Sequence, residues 1–437
     1  MNVREFSKHF SKGQVISGFV LIALMTLFGF YLHGISPDLP AALVFGLGIG
    51  YTLTRSRYGF AGGIKRIYVT GNGDLSVALL VAFVITTAIY GAYHWIDHLK
   101  GAVPAFLATE GQDIITGTQN VHFFNIATMI GAFVFGIGMI IAGGCASGTL
   151  SDLGEGEMRS ALALPFFILS TIPGHYLRAV IDRSAVGKVG VQHYLPQTFG
   201  YFGAFVVTLL ICFLLYLWVK AYERKRKLEH TYVEPGFDDF EDKLVEPADE
   251  PVFGLGLYHR LFCRRWSFKT GSLVLAAISG AFFIFNKKAW GVTSAFTRIA
   301  VWFFSLFGVR FQDPSFDGIY SKLEKGILAD KGVILNIGII MGATICFLLA
   351  SRFKFNRKFD GKNAGLFILG GLLMGFGSRM AKGCNIGALY SAVTNYSTAG
   401  WLFTLFISLG AVFALKVFKG GRCSLVPPRH RDPADFK

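Results

Sequence analysis

The chain has 437 residues, of which 53% are hydrophobic and only 16% are charged, and its formal net charge is +15. A soluble domain of ordinary composition carries about 25% charged residues, so this composition argues against a soluble protein. The basic excess gathers at loop ends and termini, where the cytoplasmic membrane surface attracts Lys and Arg, and it does not indicate nucleic-acid binding.

Ten apolar segments predict membrane-spanning helices, and several of them are long enough to cross a hydrocarbon core of about 30 Å. They lie at 15–34, 40–54, 75–96, 121–142, 159–180, 197–220, 271–286, 333–350, 364–381 and 399–418. The 53 glycines fit such a protein, because glycine lets helix backbones approach closely. The first residues carry no small-residue cleavage site after an apolar core, so no removable signal peptide is expected. The predicted fold class is an all-α polytopic membrane protein, embedded in the lipid bilayer.

Charge and hydropathy divide the chain into six parts. We expect an N-terminal segment with the first span (1–39), a first repeat (40–180), an extra span (181–220), a cytoplasmic charged linker (221–269), a second repeat (270–418) and a cytoplasmic tail (419–437). The linker begins with the basic run "ERKRK" and becomes acidic at "GFDDFED", as a solvated connection would.

The two halves repeat each other. The stretch "YGFAGGIKRI" aligns with "WGVTSAFTRI", which keeps an aromatic residue, a Gly, an Arg and an Ile in register. A second match runs without a gap: Gly131, Gly136, Gly138, Gly144, Cys145 and Gly148 fall on Gly370, Gly375, Gly377, Gly383, Cys384 and Gly387. Because five predicted spans separate the starts of the two cores, the copies must have opposite orientations. Inverted repeats with broken helices are typical of transporters whose site lies near the membrane midplane.

Positive charge predicts the orientation. The basic residues Arg4, Lys8 and Lys12 favour a cytoplasmic N-terminus, and the "RFKFNRK" loop (Arg352–Lys358) and Arg431 then fall on the same side. Arg183, Lys188, Lys287 and Lys288 lie on the opposite side and weigh mildly against this orientation. It predicts that Cys145 is approached from the cytoplasm and Cys384 from outside.

The repeated cysteines are the candidate substrate contacts. A neutral thiol is a weak, polarizable donor that suits a sulfur-bearing anion which must bind and then leave. A short helix after each cysteine would point its positive N-terminal end at such an anion. The alternative is that these cysteines are small apolar fillers, the interpretation that we favour for Cys212 and Cys346. The candidate substrate-binding residues are Cys145, Cys384, Gly144, Gly383, Ala146 and Asn385.

Four basic residues are candidates for attracting the anion or for bracing the backbone. Lys382 and Arg379 precede Cys384, where they could form an electropositive mouth or simply extend to the membrane interface. Arg66 and Arg298 are matched by the repeat, and each could contact substrate or hold the carbonyl groups of a turn. His175 is expected to be a satisfied interior histidine, and the glycines of "GLGIG" (Gly46–Gly50) are expected to pack helices.

The cysteines show no CxxC spacing, so neither a zinc site nor a disulfide framework is indicated. No P-loop occurs, so no ATP use and no cofactor are expected. The sequence does not predict an enzyme. An intramembrane thiol–disulfide enzyme that oxidises Cys145 and Cys384 together is the alternative from another class, and a passive channel with the same architecture is a third.

Four motifs together identify a resemblance. The stretches "SRYGFAGGIKR", "GIGMIIAGGCASGTL", "GVTSAFTRI" and "GFGSRMAKGCNIGAL" resemble the YeeE/YedE family of bacterial inner-membrane proteins, over roughly 40–180 and 270–418. The resemblance implies uptake of thiosulfate through an hourglass-shaped protein, in which short re-entrant helices meet at a constriction and cysteine S–H groups bond the anion. Cys145 and Cys384 match two such cysteines. Family members often have a further cysteine where Gly59 and Gly291 stand here, which puts a relay of three thiols, and thiosulfate itself, in doubt.

The resemblance also implies an alternative cargo and a protein partner. A branch of the family is linked to selenium metabolism, so a selenium species is the alternative cargo. Small cytoplasmic sulfur-carrier proteins of the TusA/SirA type are the implied partner.

Overall fold

The computed structural model describes residues 11–233, 255–357, 360–426 and 429. Arg4, Lys8, Lys358, Arg431 and the acidic stretch at 236–242 lie outside the described residues. The described chain is helical almost throughout, and one short antiparallel pair joins β1 (Phe124–Asn125) to β2 (Gly190–Val191). The predicted all-α fold class is confirmed.

The helices are numbered in chain order. Those of the first half are α1 (Lys12–Ile35), α2 (Leu39–Ser56), α3 (Phe60–Thr70), α4 (Asp74–Leu99), α5 (Ile126–Ile141), α6 (Ala146–Gly154), α7 (Met158–Arg183) and α8 (Leu195–Leu228). Those of the second half are α9 (Leu255–Tyr258), α10 (Phe268–Asn286), α11 (Thr293–Ser305), α12 (Asp317–Leu323), α13 (Lys331–Leu349), α14 (Gly361–Met380), α15 (Ser391–Thr394) and α16 (Thr398–Val417). A π-helical turn follows α9 at His259–Cys263, and another precedes α15 at Asn385–Tyr390.

Nine helical segments of the described chain are long and apolar enough to cross a membrane. They are Lys12–Ile35, Asp74–Leu99, Ile126–Gly154, Met158–Arg183, Leu195–Leu228, Phe268–Asn286, Lys331–Leu349, Gly361–Thr394 and Thr398–Val417. The remaining predicted span is also a helix, α2, but it falls outside this set. Its polar residues and glycines lower its hydropathy, and it is buried against α13: Cβ atoms on Gly46 and Gly50 would stand 2.4 and 2.0 Å from the carbonyl oxygens of Leu335 and Ile339. The prediction that these glycines pack helices is confirmed.

The glycines shared by the two halves lie where α5 and α14 cross. A Cβ on Gly131 would stand 2.8 Å from the Gly377 carbonyl oxygen, and one on Gly138 would stand 2.8 Å from that of Gly370. Residue numbers therefore rise along α5 while they fall along α14, so these two matched helices run antiparallel.

A second pair of contacts follows the same correspondence. Gly136 approaches the Ile407 carbonyl on α16, at 2.3 Å from a Cβ placed on the glycine. Its match, Gly375, approaches the Phe167 carbonyl on α7, at 2.1 Å. Gly136 and Gly375 thus each let their helix approach a backbone in the other half.

Helix α8 extends beyond the predicted boundary at residue 220 and ends at Leu228, so the first eight residues of the predicted linker are helical. Two sets of contacts hold this extension. Glu223 pairs with Lys220 at 2.9 Å and with Lys227 at 2.7 Å along the helix. The buried Arg226 donates to the carbonyl oxygens of Tyr68 and Val69 on α3. Some charged residues of the predicted solvated linker therefore lie at the end of α8, where they make packed contacts.

Candidate functional site

Both repeated cysteines lie at the start of a short helical segment. Cys145 precedes α6 and Cys384 precedes the turn Asn385–Tyr390, and each has an extended backbone at the N-cap position. Their side chains are 1% and 0% exposed and belong to the same buried cluster. The short helices that the sequence predicts after each cysteine are therefore present.

The turn before each cysteine contains a left-handed residue. Gly143 has φ of +85°, and its repeat equivalent Lys382 has φ of +60°. A lysine in this region costs about 1–2 kcal/mol, because its Cβ crowds the carbonyl oxygen. The Lys382 side chain lines a cavity, where its Nζ lies 3.4 Å from an Asp182 oxygen.

Each thiol has a hydroxyl partner. The Cys145 Sγ lies 3.4 Å from Ser147 Oγ. The Cys384 thiol interacts with the Thr293 side chain and with the backbone N–H groups of Ile386 and Gly387. Cys145 also lies close enough to contribute to the electrostatic environment of Cys384. Both thiols are thus buried, with the polar side chains of Ser147 and Thr293 beside them.

The other proposed contacts surround these thiols. Asn385 is 1% exposed, and its Nδ2 lies 3.7 Å from the Met139 Sδ of the first half, while its Oδ1 has no partner among the described residues. Ala146, which the repeat matches to Asn385, is fully buried. Gly144 is also buried, and a Cβ on Gly383 would stand 2.6 Å from the Ala388 nitrogen, so the turn at 383 requires glycine.

A cavity of about 700 Å³ leads towards Cys384, and Gly383 and Gly387 form part of its wall. Its lining is strongly basic, with seven cationic side chains and two carboxylates. The charged lining residues are Arg178, Lys288, Arg298, Lys322, Lys331, Arg379, Lys382, Asp182 and Asp330. The positive potential of such a concave surface concentrates anions.

Ion pairs fix several of these cations in place. Arg298 donates to Asp330 at 2.8 Å, and Lys331 pairs with Asp38 at 2.8 Å. Arg178 pairs with Asp182 and donates to Thr128 Oγ1 and to the Met380 carbonyl oxygen, each at 2.7 Å. Arg178 therefore holds the end of α14, next to the Cys384 turn, in addition to its contribution of charge.

Arg379 differs from these residues. No ion pair or hydrogen bond of its side chain occurs within the described ranges, and its Nε is buried without a partner there. Arg379 is half-buried, and partial desolvation of an unpaired guanidinium has a free-energy cost that an anionic partner would offset. The cavity thus holds a cation whose geometry favours a bound anion.

Arg66 and Arg298, which the repeat matches, have different surroundings. Arg298 lines the cavity and pairs with Asp330, whereas Arg66 lies on α3 with its guanidinium 5.3 Å from the Phe268 ring centroid. The sequence match therefore does not extend to their contacts. The His175 Nε2–H group donates a hydrogen bond to the Ser315 carbonyl oxygen at 3.0 Å.

Three residues of the site have no signal in the sequence analysis. Thr293 lies in a matched motif, where no local feature separates it from its neighbours. Lys288 lies in a loop between predicted spans. His122 lines the cavity just before α5, and burial, together with the charges of Lys382, Arg178 and Arg379, lowers its pKa to about 3. Its imidazole is therefore neutral at physiological pH.

Comparison with known proteins identifies the family. A family described as "Sulphur transport" matches residues 55–413, which include both cysteine motifs and the basic cavity. The chain belongs to the sulphur transport family. Membership makes it a multi-pass membrane transporter of sulfur compounds and not an enzyme.

Individual relatives of this sulphur transporter are also named as transporters. It is 26% identical over 379 residues to the thiosulfate transporter TsuA of Escherichia coli, covering 85% of this chain and 92% of the relative. It is also 26% identical over 302 residues to the thiosulfate transporter TsuA of Spirochaeta thermophila, covering 65% of this chain and 75% of the relative. A shorter match of 169 residues, again 26% identical, relates it to the probable transporter YedE of E. coli, with 39% of this chain and 40% of the relative covered.

Proposed function

We propose that this protein is a permease that takes up thiosulfate across the bacterial inner membrane, with both termini in the cytoplasm. The two matched halves form an inverted repeat around a constriction that Cys384 and Cys145 line in succession. The observation that carries the proposal is the basic cavity of about 700 Å³ that ends beside Cys384.

Entry begins with long-range attraction. The excess of cations in the cavity raises the local concentration of anions and their rate of encounter. Arg379 then supplies the first specific contact, because its guanidinium has no ion-pair partner among the described residues. A charge-assisted hydrogen bond of this kind contributes about 1.5–3 kcal/mol.

Passage through the constriction uses weaker donors. Thiosulfate is a dianion with a soft terminal sulfur, and a polarizable S–H group can bond it without holding it too tightly. The hydroxyl groups of Thr293 and Ser147 donate to the sulfur atoms of Cys384 and Cys145, which leaves the two thiol protons free for the anion. The buried amide of Asn385 adds a further donor between the halves. A small cytoplasmic sulfur carrier of the TusA/SirA type would then receive the cargo.

The experiment that tests this function is uptake of radiolabelled thiosulfate by cells that lack their other sulfate and thiosulfate systems. Saturable uptake that excess unlabelled thiosulfate abolishes would support the proposal. Competition by selenite stronger than that by thiosulfate would instead support the selenium cargo. Uptake that never saturates would support a passive channel, and no thiosulfate uptake by a well-expressed protein would overturn the proposal.

A further inference from the structure

The end of the protein opposite the basic cavity is covered by its own C-terminal residues 420–426, here called the tail segment. Helix α14 runs from Gly361 to Met380, and its last turn lies at the cavity. The tail segment contacts the other end of this helix, since the Ser424 N–H donates to Asn363 Oδ1 at 2.9 Å. It also contacts the far end of α5, where the Cys423 Sγ lies 3.9 Å from the Ile141 carbonyl oxygen.

The tail segment lies directly over the turn that precedes Cys145. A Cβ on Gly143 would stand 2.6 Å from the Leu425 Cδ1 atom, so the leucine packs against the glycine backbone. The Lys65 Nζ donates to the Leu425 carbonyl oxygen and so ties this residue to α3. Leu425 therefore covers the position that, in the second half, corresponds to Lys382.

The tail segment packs closely against the rest of the protein. Cys423 is 1% exposed and Val426 is fully buried. The Gly420 N–H donates to the Val426 carbonyl oxygen at 2.9 Å, which closes the segment into a compact loop. Arg429 Nη2 also donates to the Tyr222 hydroxyl on α8 at 2.8 Å.

The two cysteine turns thus have opposite surroundings. The turn before Cys384 opens onto a cavity, whereas Leu425 covers the turn before Cys145. A symmetric pair of half-sites would leave both turns equally open. The matching segment of the first half, 181–187, reaches Lys382 through Asp182, but Val186, at the position of Leu425, is 63% exposed. Leu425 itself therefore accounts for this asymmetry.

We propose that the tail segment is the inner gate of the transporter, with Leu425 as the plug that must lift before an anion can leave Cys145. This inference rests on the proposed permeation path through the two thiols. Packing on Gly143 and the Lys65 bond hold Leu425 in place, and the Ser424–Asn363 bond anchors the segment beside it. Opening breaks these contacts and leaves the hydrogen bonds within α16 intact.

The test is the reactivity of Cys145 towards a small hydrophilic maleimide in inside-out membrane vesicles that contain the full chain, with modification resolved by peptide mass spectrometry. Leu425→Ala removes the plug, and Lys65→Ala removes its tether. Leu405→Ala, a matched change at a half-exposed position on α16, is the control. We expect the first two variants to raise the rate of Cys145 modification several-fold, while the control has no effect.

Unchanged Cys145 modification in both Leu425→Ala and Lys65→Ala, in protein that melts at the temperature of the parent chain, would overturn the gate. Increased modification supports the gate whether or not the parent chain takes up thiosulfate. Increased modification together with no uptake by the parent chain would overturn only the proposed cargo.

Discussion

Gly138 and Gly370 lie in backbone contact where α5 crosses α14, and a Cβ on Gly138 would stand 2.8 Å from the Gly370 carbonyl oxygen. These glycines come from the two halves and join the helices that lead to Cys145 and Cys384. Their close approach therefore fixes the distance between the two cysteine turns.

We expect Gly138→Ala to destabilise the protein, because the added methyl group has no space and overpacking costs about 1–3 kcal/mol. The matched control is Gly365→Ala on α14, where nothing lies within 4 Å of the added Cβ. Removing that helical glycine should be neutral or slightly stabilising, by up to about 1 kcal/mol. Thermal unfolding in detergent compares the two variants, and equal melting temperatures would contradict the packing that we describe.

Arg379→Gln should weaken thiosulfate uptake at low concentration. Loss of a charge-assisted hydrogen bond of about 1.5–3 kcal/mol corresponds to a rise in KM of roughly ten-fold to 150-fold. The control is Arg183→Gln, because Arg183 is half-exposed and pairs with Asp313 away from the cavity wall. Initial rates measured over a range of thiosulfate concentrations separate KM from the maximal rate. An unchanged KM for Arg379→Gln would show that this residue does not contribute to thiosulfate binding.

His122 should not contribute to the pH dependence of uptake. Burial, followed by the charge of Lys382 and other cavity cations, lowers its pKa to about 3, so the imidazole stays neutral from pH 8 to about pH 5. His122→Gln should therefore leave the pH profile of uptake unchanged over that range. A change of the profile near pH 6.5 in this variant would show that His122 is charged during transport.

The same pKa predicts an effect on stability. Below about pH 6.5 the unfolded chain binds a proton at this histidine that the folded protein does not bind, so the free energy of unfolding falls as the pH drops towards 3. His122→Gln removes this contribution. The variant should lose less stability than the parent chain between pH 6.5 and pH 5, as measured by thermal unfolding.

The sequence was sufficient to predict the long apolar helices and the cysteine turns, because both leave local signals, but not the shorter helices α3, α11 and α12. Apolar runs predict nine segments that the structure confirms as candidate spans, and the unbroken glycine match indicates where α5 and α14 meet their partners. The polar and glycine residues of α2 make it less apolar than the other segments, although it lies within the bundle.

The remaining features depend on contacts between residues far apart in the chain. The absence of a carboxylate beside Arg379 within the described residues is a property of the folded cavity, as is the position of His122 in the cavity wall. The extension of α8 to Leu228 depends on Arg226 reaching the carbonyl groups of α3. The position of Leu425 over Gly143 depends in the same way on how the tail segment packs, and no local sequence pattern predicts that packing.

The central claim is that the two repeated thiols bond the transported anion. Uptake of radiolabelled thiosulfate by Cys145→Ala, Cys384→Ala and the control Cys212→Ala tests it most directly, with expression and melting temperature measured in parallel. Because alanine removes the S–H donor and little volume, we expect each of the first two variants to abolish uptake in folded protein. Cys212, a buried thiol on α8, has no role in the proposed path, so its variant should transport at the parental rate. Parental uptake by a variant that lacks both Cys145 and Cys384 would contradict the account.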